Sequence, residues 1–464
     1  MKDKRGFRFY LANFVAKSVS FSLKILGRNA SYLPGYFALK IDPLFIKHSE
    51  HPKVVIAVTG TNGKTTTSNL LNDFLKAFGK RVSNNSLGSN TVDGIASIYV
   101  KNNSFLGKSK DDYAVLEVDE RSSLKIFSQV EPDYLIVTNL FRDSYARNAH
   151  ADYIFDFLNK SIPAKTKLIL NSDDLISACL KPENSRTYYS VPQVDGIPEE
   201  NDSRVKDLVN CPECQTRLKA KYIHYNHIGQ YSCPNCSFEN PHSNYTLRNV
   251  DLVTQKAEII HDNEIRNIKL LSDNFVDLYN ILAAYTVLNN CGFSLDEIAR
   301  NTDSVKIPQS RNVHVTIGNT TLRSMLAKGN NPIATSRTLQ YIAKLPGKKT
   351  LILANDKSHI GPNDFSRADC GWIYDNDYRP LLLDEFTNII CSGEKRYDFA
   401  LRLLMEGIDE NKITYADEHK DAPKVIDYDN ADHIVILHDT GNEVELEKVF
   451  KDIERILKTR QRGL

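Results

Sequence analysis

Short apolar runs alternate with amphipathic stretches along most of the chain, which predicts strands and helices in turn. Residues 54–58 form a β-branched run, and residues 64–78 follow with apolar side chains at helical spacing. The same patterns predict strands at 113–118, 134–138, 167–170, 257–261 and 268–271, and helices at 151–159 and 276–289. Strands that alternate with helices favour a mainly parallel, doubly wound sheet of the α/β class.

The alternation starts again near residue 308, which predicts a second and smaller α/β domain of the Rossmann type. Its predicted strands are 351–354, 388–391 and 433–438, and its predicted helices are 333–343, 397–406 and 444–459. A chain of 464 residues is expected to hold two or three domains. We predict a basic N-terminal segment at 1–50, a central domain at 51–307 with an insertion at about 205–242, and a C-terminal domain at 308–464.

Composition and charge exclude several classes of protein. The chain has 41% hydrophobic and 25% charged residues, as expected for a soluble globular protein, and 59 basic residues balance 58 acidic ones. A bulk nucleic-acid binder would usually carry a strongly basic domain, so we expect no nucleic-acid partner. The sequence lacks both a run of roughly 20 apolar residues that could span a bilayer and a secretory signal. We therefore expect a cytoplasmic protein.

The first residues are biased towards basic and apolar side chains. Residues 1–48 contain many Lys and Arg residues but only Asp3 and Asp42 as acids, and apolar positions lie between them. One interpretation is a helix that lies against anionic lipid headgroups, at the inner face of the membrane. The other is a helix that packs on the body of the protein and presents a solvated basic face.

A glycine-rich loop joins the first predicted strand to the first predicted helix, with the sequence Thr59-Gly-Thr-Asn-Gly-Lys-Thr-Thr-Thr67. Glycines let main-chain N–H groups face a phosphate, and the helix start adds a positive dipole end. Lys64 adds a charge, and Thr65 can offer a hydroxyl to Mg²⁺. We predict that this loop binds a nucleotide through Gly60, Thr61, Asn62, Gly63, Lys64, Thr65 and Thr66.

This loop resembles that of the Mur ligases, which build the peptide of peptidoglycan. The resemblance implies ATP as co-substrate, Mg²⁺ and an acyl-phosphate intermediate. It implies that Glu117, at the end of a predicted strand, binds Mg²⁺ together with Thr65 and acts in catalysis with Lys64. It also places Asn280 near the adenine and Arg311 near a phosphate. Both residues also have a purely structural interpretation. Glu117 would then be a solvated acidic residue at a strand end, and Asn280 would be a packing residue of the core.

Two C-x₂-C pairs form a cysteine module, with Cys211 and Cys214 in one pair and Cys233 and Cys236 in the other. This spacing predicts a Cys₄ zinc ribbon, and four thiolates leave no open position for water, so we expect a structural Zn²⁺. His224 and His227 lie between the pairs and are expected to be loop histidines rather than ligands.

A Mur-type centre with a four-cysteine insertion resembles the MurT family, the synthetase subunits of lipid II isoglutaminyl synthases. The resemblance implies amidation of the D-glutamate α-carboxyl in the lipid-linked precursor lipid II. It also implies a heterodimer with a glutaminase of the GatD type, which supplies the ammonia. No glutaminase motif surrounds the remaining cysteines, so ammonia must come from solution or from another chain; these cysteines are Cys179, Cys291, Cys370 and Cys391.

The candidate catalytic aspartate lies in the second domain. Residues 369–375 resemble a family segment whose first aspartate is the proposed catalytic residue, which matches Asp369. The preceding loop is longer than in the family, so Asp364 is a rival. The alternative for Asp369 is a structural role, as a helix cap or as a partner of Arg367. Lys328 and Asn331 resemble a family Lys-Asn-Pro segment that faces the site.

Three functions are compatible with these residues. The first is an amidoligase that works with a glutaminase. The second is a Mur-type ligase that adds an amino acid to another carboxylate acceptor. The third is an inactive, nucleotide-binding paralogue that regulates a true ligase. Glutamine plus a glutaminase partner, tested against a panel of amino acids, separates the first from the second, and ATP binding without turnover identifies the third.

Overall fold

The computed structural model describes residues 5–86, 89–143, 150–194, 204–272, 274–305, 312–327, 331–355 and 370–462. The chain forms two compact units. The first comprises Met1–Phe141, Ala151–Asn201 and Leu208–Pro308. The second comprises Arg142–His150, Asp202–Asp207 and Gln309–Leu464.

The first unit is built on a large mixed sheet with helices around it. Its helices are α1 (Phe7–Ile25), α2 (Leu33–Ile41), α3 (Phe45–His48), α4 (Lys64–Ala77), α5 (Val92–Asn102), α6 (Ser123–Phe127), α7 (Ala151–Ser161), α8 (Leu175–Ala178), α9 (Phe275–Asn290) and α10 (Leu295–Arg300). Its strands are β1 (Val54–Thr59), β2 (Val82–Asn84), β3 (Tyr113–Glu117), β4 (Tyr134–Val137), β5 (Lys167–Asn171), β6 (Arg186–Ser190), β7 (Lys219–Tyr225), β8 (Ile228–Ser232), β9 (Tyr245–Asp251), β10 (Lys256–His261) and β11 (Glu264–Lys269).

Within the described residues, the main sheet has nine strands in the order β11-β10-β9-β6-β5-β4-β1-β3-β2. The strands from β2 to β9 in this order pair in parallel, whereas β10 and β11 add antiparallel pairs at one edge. β1 lies between β3 and β4, with Val58 beside Glu117 and Thr59 beside Val137. The carboxyl ends of three neighbouring strands therefore meet at one edge, where ligands bind in open α/β sheets.

The cysteine module is a small insertion with little core of its own. β7 and β8 pair as an antiparallel hairpin separate from the main sheet. Ile223 and Tyr231 from this hairpin pack on Leu175 in a small apolar cluster. Such a small cluster buries little apolar surface, so cross-linking by a metal would contribute much of the insertion's stability.

The second unit holds a smaller, mainly parallel sheet. Its strands are β12 (Asn312–Ile317), β13 (Thr320–Leu326), β14 (Lys349–Ala354), β15 (Phe386–Ser392), β16 (Ile413–Ala416) and β17 (His433–His438). Its helices are α11 (Pro332–Ala343), α12 (Gly371–Asp375), α13 (Arg396–Glu406) and α14 (Glu443–Arg462). Within the described residues the order is β12-β13-β17-β14-β15-β16, with only the β12–β13 pair antiparallel.

The buried parallel strands match the apolar runs of the sequence closely, because strands buried on both faces are continuously apolar. One difference lies at the sheet edge, where a strand is predicted at 268–271 but β11 covers Glu264–Lys269, and β2, β6 and β9 are strands of the main sheet that the pattern does not predict. β11 pairs with β10 alone, so it tolerates Glu264 and Arg266 and lacks a continuous apolar run. His224 lies in β7 rather than in the predicted loop.

Candidate active site

The glycine-rich loop follows β1 and leads directly into α4. Gly60 has a φ of 122°, and a Cβ atom there would lie 2.3 Å from Oγ1 of Thr138. Gly63 has a φ of 87°, and a Cβ atom there would lie 2.3 Å from Oδ1 of Asn280. Both positions therefore require glycine, for backbone conformation and for space. Gly63 makes no side-chain cap for α4, so the N-terminal amides of the helix remain suited to bind an anion.

The segment after β4 holds the loop in place. The main-chain N–H of Asn62 donates to Oδ1 of Asn139 at 3.0 Å, and that of Thr61 donates to the Asn139 carbonyl at 2.8 Å. The Thr138 hydroxyl donates to the Asn62 carbonyl at 2.7 Å. In the sequence, Val137-Thr138-Asn139 resembles a Thr-Asn segment of the Mur ligases. The pairing of β1 with β4 brings this segment beside the phosphate loop.

Lys64 is held by a buried carboxylate. Its ammonium donates to Oε1 of Glu120 at 2.7 Å and also to the Gly60 carbonyl. The Glu120 side chain is only 4% exposed. Burial raises the pKa of Glu120, and the neighbouring Lys64 charge opposes that shift. Glu120 is a site residue that the sequence does not single out, although it stands one short turn after Glu117.

Glu117 and Thr65 occupy positions suited to oxygen coordination of Mg²⁺. Glu117 is the last residue of β3, is partly buried, and accepts a long hydrogen bond of 3.5 Å from the Asn90 amide. Thr65 lies in the first turn of α4 with an exposed side chain. Carboxylate and hydroxyl oxygens are ligands that Mg²⁺ prefers, so these two residues fit the ion that the sequence predicts.

Asn280 lies on α9 and packs against the phosphate loop. Its Oδ1 accepts from the Thr67 hydroxyl at 3.3 Å, and its amide donates to Asp277 at 3.0 Å. It is 4% exposed. Asn280 thus contacts the phosphate loop on one side and its own helix, α9, on the other. These contacts hold its side chain beside Gly63.

A buried polar network connects the β7–β8 hairpin to the segment beside the loop. Asp174 accepts from the Leu140 main-chain N–H at 2.7 Å and pairs with His227 at 3.2 Å. Asp173 accepts from the Tyr279 hydroxyl at 2.8 Å, and His224 is hydrogen-bonded to the same hydroxyl at 2.7 Å. Burial raises the pKa of Asp173 to about 7 and lowers that of His224 to about 4. The sequence gives no signal for this network.

The four cysteines of the module converge. Their Sγ atoms all lie within 4.8 Å of one another, with 3.6 Å between Cys211 and Cys236 and 3.4 Å between Cys214 and Cys233. A tetrahedral site with metal–sulfur distances of about 2.3 Å needs sulfur separations of about 3.8 Å. The cluster therefore fits a four-coordinate metal ion, and neither histidine of the module belongs to it.

The second unit contains a charged cluster around Arg142. Arg142 donates to Asp207 at 2.5 Å and to Asp375 at 2.7 Å. Asn331 caps α11 and donates its amide to Asp143 at 2.9 Å. The predicted residues Arg311, Lys328, Asp364 and Asp369 lie outside the described residues.

Two family models match the chain. The Mur ligase middle domain matches residues 58–238, which include the phosphate loop and the cysteine module. The MurT ligase C-terminal model matches residues 327–440 in the second unit. Each unit thus matches a model of the Mur ligase family, so the similarity to this family is not confined to the phosphate loop.

Similar proteins support the same assignment. The lipid II isoglutaminyl synthase (glutamine-hydrolyzing) subunit MurT of Staphylococcus aureus strain COL is 30% identical over 91% of this chain and 93% of its own. The subunit of that name from Streptococcus pneumoniae R6 is 27% identical over 92% and 93%. A pseudomurein peptide ligase type C from Methanothermus fervidus has the same fold, with a TM-score of 0.64 at 19% identity, covering 89% of this chain and 80% of that one.

These comparisons confirm the α/β fold class of Mur ligases that the sequence predicts, and the family implies ATP and Mg²⁺. The similarity to the MurT subunits extends over more than 90% of the chain, whereas the phosphate loop alone would be compatible with several nucleotide-binding families. The chain therefore belongs to the MurT branch of the Mur ligases and is an ATP-dependent ligase of peptidoglycan synthesis.

Proposed function

We propose that the chain is the ligase subunit of an ATP-dependent amidation, which converts the D-glutamate α-carboxyl of lipid II to an amide. The observation that carries this proposal is the likeness to two MurT subunits over nearly their whole length. It includes the second unit, for which the matching model is specific to MurT. A likeness confined to the ATP-binding half would have supported any Mur-type ligase equally.

The phosphate loop is proposed to hold ATP. The main-chain N–H groups at the start of α4, from Gly63 to Thr65, bind the phosphates, while those of Thr61 and Asn62 donate to Asn139 and hold the loop in shape. Lys64 adds its charge, and because Glu120 and the loop fix its ammonium, little reorganisation is needed when phosphate charge develops. Mg²⁺ held by Thr65 and Glu117 supplies further neutralisation of the phosphate charge.

The reaction then proceeds in two steps. A carboxylate oxygen of the acceptor attacks the γ-phosphorus, and ADP leaves as the acyl phosphate forms. Ammonia next attacks the acyl carbon, the bond from carbon to the phosphate oxygen breaks, and the nitrogen gives one proton to a base. We assign that base to Asp369, with Asp364 as its rival, and a phosphate contact to Arg311, by their positions in the sequence.

The cysteine cluster is proposed to bind a structural Zn²⁺. Four sulfur ligands complete a tetrahedral coordination sphere and leave no site for a reactive water. The separations between the Sγ atoms support this. In this proposal the metal stabilises the β7–β8 hairpin, and through the Asp174–His227 pair the hairpin supports the segment beside the phosphate loop.

Ammonia is proposed to come from a separate glutaminase subunit of the GatD type, in a heterodimer with this chain. The two MurT relatives are named as subunits of a glutamine-hydrolyzing synthase. No sequence motif of a glutaminase surrounds any cysteine of this chain. The proposed acceptor is lipid-linked, as the names of the same relatives describe.

The test combines the purified chain and its glutaminase with ATP, Mg²⁺, glutamine and lipid II. We expect a product in which an amino group replaces one hydroxyl, detected by mass spectrometry, together with one ADP per amide. Lys64→Ala should abolish ADP formation, while Lys76→Ala, at an exposed position of the same helix, should not. Efficient coupling of an amino acid instead of ammonia would overturn the proposal.

A further inference from the structure

Helix α1 is apolar on two opposite faces. Its inner face is buried and consists of Phe9, Ala12, Asn13, Ala16 and Ser20. At 3.6 residues per turn, a second set of apolar side chains points the other way. This outward set, called here the N-terminal apolar face, consists of Phe7, Leu11, Phe14, Phe21 and Ile25, which are between 41% and 80% exposed. Surface helices normally present polar side chains outward.

The apolar surface continues onto the loop beside α1. The Asn13 amide donates to the carbonyls of Ser104 and Phe105 at 3.1 and 2.8 Å, which fixes this loop against the helix. Phe105 is 67% exposed and Leu106 is 61% exposed. Lys17 lies 5.3 Å from the centre of the Phe105 ring. The helix and the loop thus present aromatic and aliphatic groups together.

Contacts on the inner side of α1 prevent the helix from rotating about its axis to bury this face. Phe9 stacks on Phe45 with 5.2 Å between ring centres, and the Lys17 ammonium donates to the carbonyls of Val100 and Asn103 at 2.5 and 2.7 Å. These inner contacts fix the rotation of α1 about its axis. The outward face is therefore a stable feature of the fold.

The charge of the segment that carries this face, residues 5–48, is one-sided, and the first exposed acid beyond it is Glu50, whose main-chain N–H donates to the Gly107 carbonyl of the neighbouring loop. Exposed cations of the N-terminal helices and their connections are Arg8, Lys24, Arg28, Lys40 and Lys47. The only acid in the described part of this segment, residues 5–48, is Asp42, which is 4% exposed and paired with His48 at 2.7 Å. The surface therefore offers positive charge and apolar groups, with no exposed carboxylate among those described residues.

We propose that the N-terminal apolar face docks on the surface of an anionic lipid bilayer, with α1 lying in the plane of the membrane. Apolar side chains enter the boundary between headgroups and acyl chains, and flanking Lys and Arg residues contact anionic headgroups. None of the described helices is long and apolar enough to cross a bilayer. A second copy of the chain fits less well, because symmetric pairing would bring like charges together.

The test is co-sedimentation of the full chain with vesicles of phosphatidylcholine alone or mixed with phosphatidylglycerol. We expect binding only to the mixed vesicles, weakened by high salt because salt screens the charges. Phe14→Ser with Phe21→Ser should weaken binding at least about tenfold, since both rings lose their burial in lipid. Val253→Ser with Met405→Ser, at exposed sites elsewhere, should leave it unchanged.

Other outcomes overturn the proposal. The first is wild-type protein that ignores anionic vesicles. The second is a Phe14→Ser, Phe21→Ser variant that binds them as well as wild type, with circular dichroism showing both folded. The third is that wild-type protein does not bind vesicles and is a dimer by light scattering, whereas the Phe14→Ser, Phe21→Ser variant is a monomer. That result would assign the face to a second copy of the chain. The proposed amidation is tested separately, with lipid II in detergent, so none of these three outcomes decides it.

Discussion

Single residues of the phosphate loop are constrained by their neighbours as much as by a nucleotide. Gly63 combines a left-handed backbone with the close approach of Asn280, and Gly60 does the same with Thr138. The sequence motif predicts the glycines, because turn chemistry is local. It does not predict which side chains fill the space beside them, since Asn280 and Thr138 arrive there from distant parts of the chain.

Gly63→Ala should abolish measurable ATP binding because the added Cβ would displace Asn280 and shift the start of α4. Gly79→Ala is the matched control, since Gly79 also has a positive φ, of 71°, but has open space around its Cβ position. Both variants should lose about 1 kcal/mol of stability from backbone strain. Calorimetric titration with ATP and Mg²⁺ distinguishes them, and equal affinities would contradict the packing argument.

Contacts that the sequence does not reveal are those made between residues that are distant along the chain. Glu120 reaches Lys64 only because β1 pairs with β3, and strand order is not visible in an apolar run; for Asn139 the sequence shows the family resemblance but not the contact with the loop, which depends on the pairing of β1 with β4. The four cysteines are found easily because metal spacing is a local pattern. The candidate base Asp369 stays a prediction, since it lies outside the described residues.

At the scale of elements, the β7–β8 hairpin is joined to the rest of the first unit by buried polar groups as well as by aromatic contacts. Asp173 and Asp174 lie after β5, and each contacts a tyrosine or histidine from another element. Buried polar pairs specify one arrangement but depend on protonation. This dependence gives the hairpin contact a predictable response to pH.

Burial raises the pKa of Asp173 to about 7, whereas an unfolded aspartate titrates near 3.9. Between these values the folded state keeps a proton that the unfolded state has released, so the contribution of Asp173 to stability falls as the pH rises from about 4 to 7, whereas His224, whose pKa is lowered, contributes with the opposite sign below about 6.5. The full loss is about 4 kcal/mol for three pKa units. In urea unfolding, the free energy of unfolding of Asp173→Asn relative to wild type should therefore increase from pH 4 to pH 7, and the exposed Asp152→Asn control should show no such change.

Cys233→Ser should release the bound metal, because a hydroxyl is a poor substitute for a thiolate on Zn²⁺. We expect elemental analysis to show zinc near one equivalent in wild type and little in the variant, with increased proteolysis within residues 205–242. Cys291→Ser, outside the cluster, is the control. Wild-type protein without zinc would contradict the assignment.

Elements are easier to predict from sequence in the buried centre than at the edges. β1, β4 and β5 are continuous apolar runs, and α4 has a regular apolar stripe. The β12–β13 hairpin carries polar residues on the exposed side and gives no comparable run. For α1 the sequence shows apolar positions but not their direction, since both of its faces are apolar.

At the scale of the whole molecule, the second unit is assembled from separate parts of the chain. Arg142 and Arg204 come from the short segments Arg142–His150 and Asp202–Asp207. Arg142 pairs with Asp375, and Arg204 pairs with Glu406, whose side chain is 2% exposed. A linear division at residue 308 describes the sequence pattern but leaves out these contributions.

Residues 309–464 expressed alone should therefore be less stable than the same unit in the full chain. Removing both arginines should cost about 1–2 kcal/mol, because Asp375 is only partly buried and the buried Glu406 keeps Arg402 as a second partner. Arg142→Ala with Arg204→Ala in the full chain should reproduce much of the loss in scanning calorimetry. Arg455→Ala, which breaks an exposed pair with Asp452, should have little effect. A fragment as stable as the intact unit would exclude this explanation.

The interleaved segments also constrain the order of events during synthesis on the ribosome. Every residue of the first unit has been translated once Pro308 is added, so this unit can fold while the rest is still being made. The short segments Arg142–His150 and Asp202–Asp207 are then already attached to a folded unit before α12 and α13, which carry their partners Asp375 and Glu406, have been synthesised. Because these segments are covalently attached to the folded first unit, their local concentration is high when the rest of the second unit is synthesised, which favours its assembly.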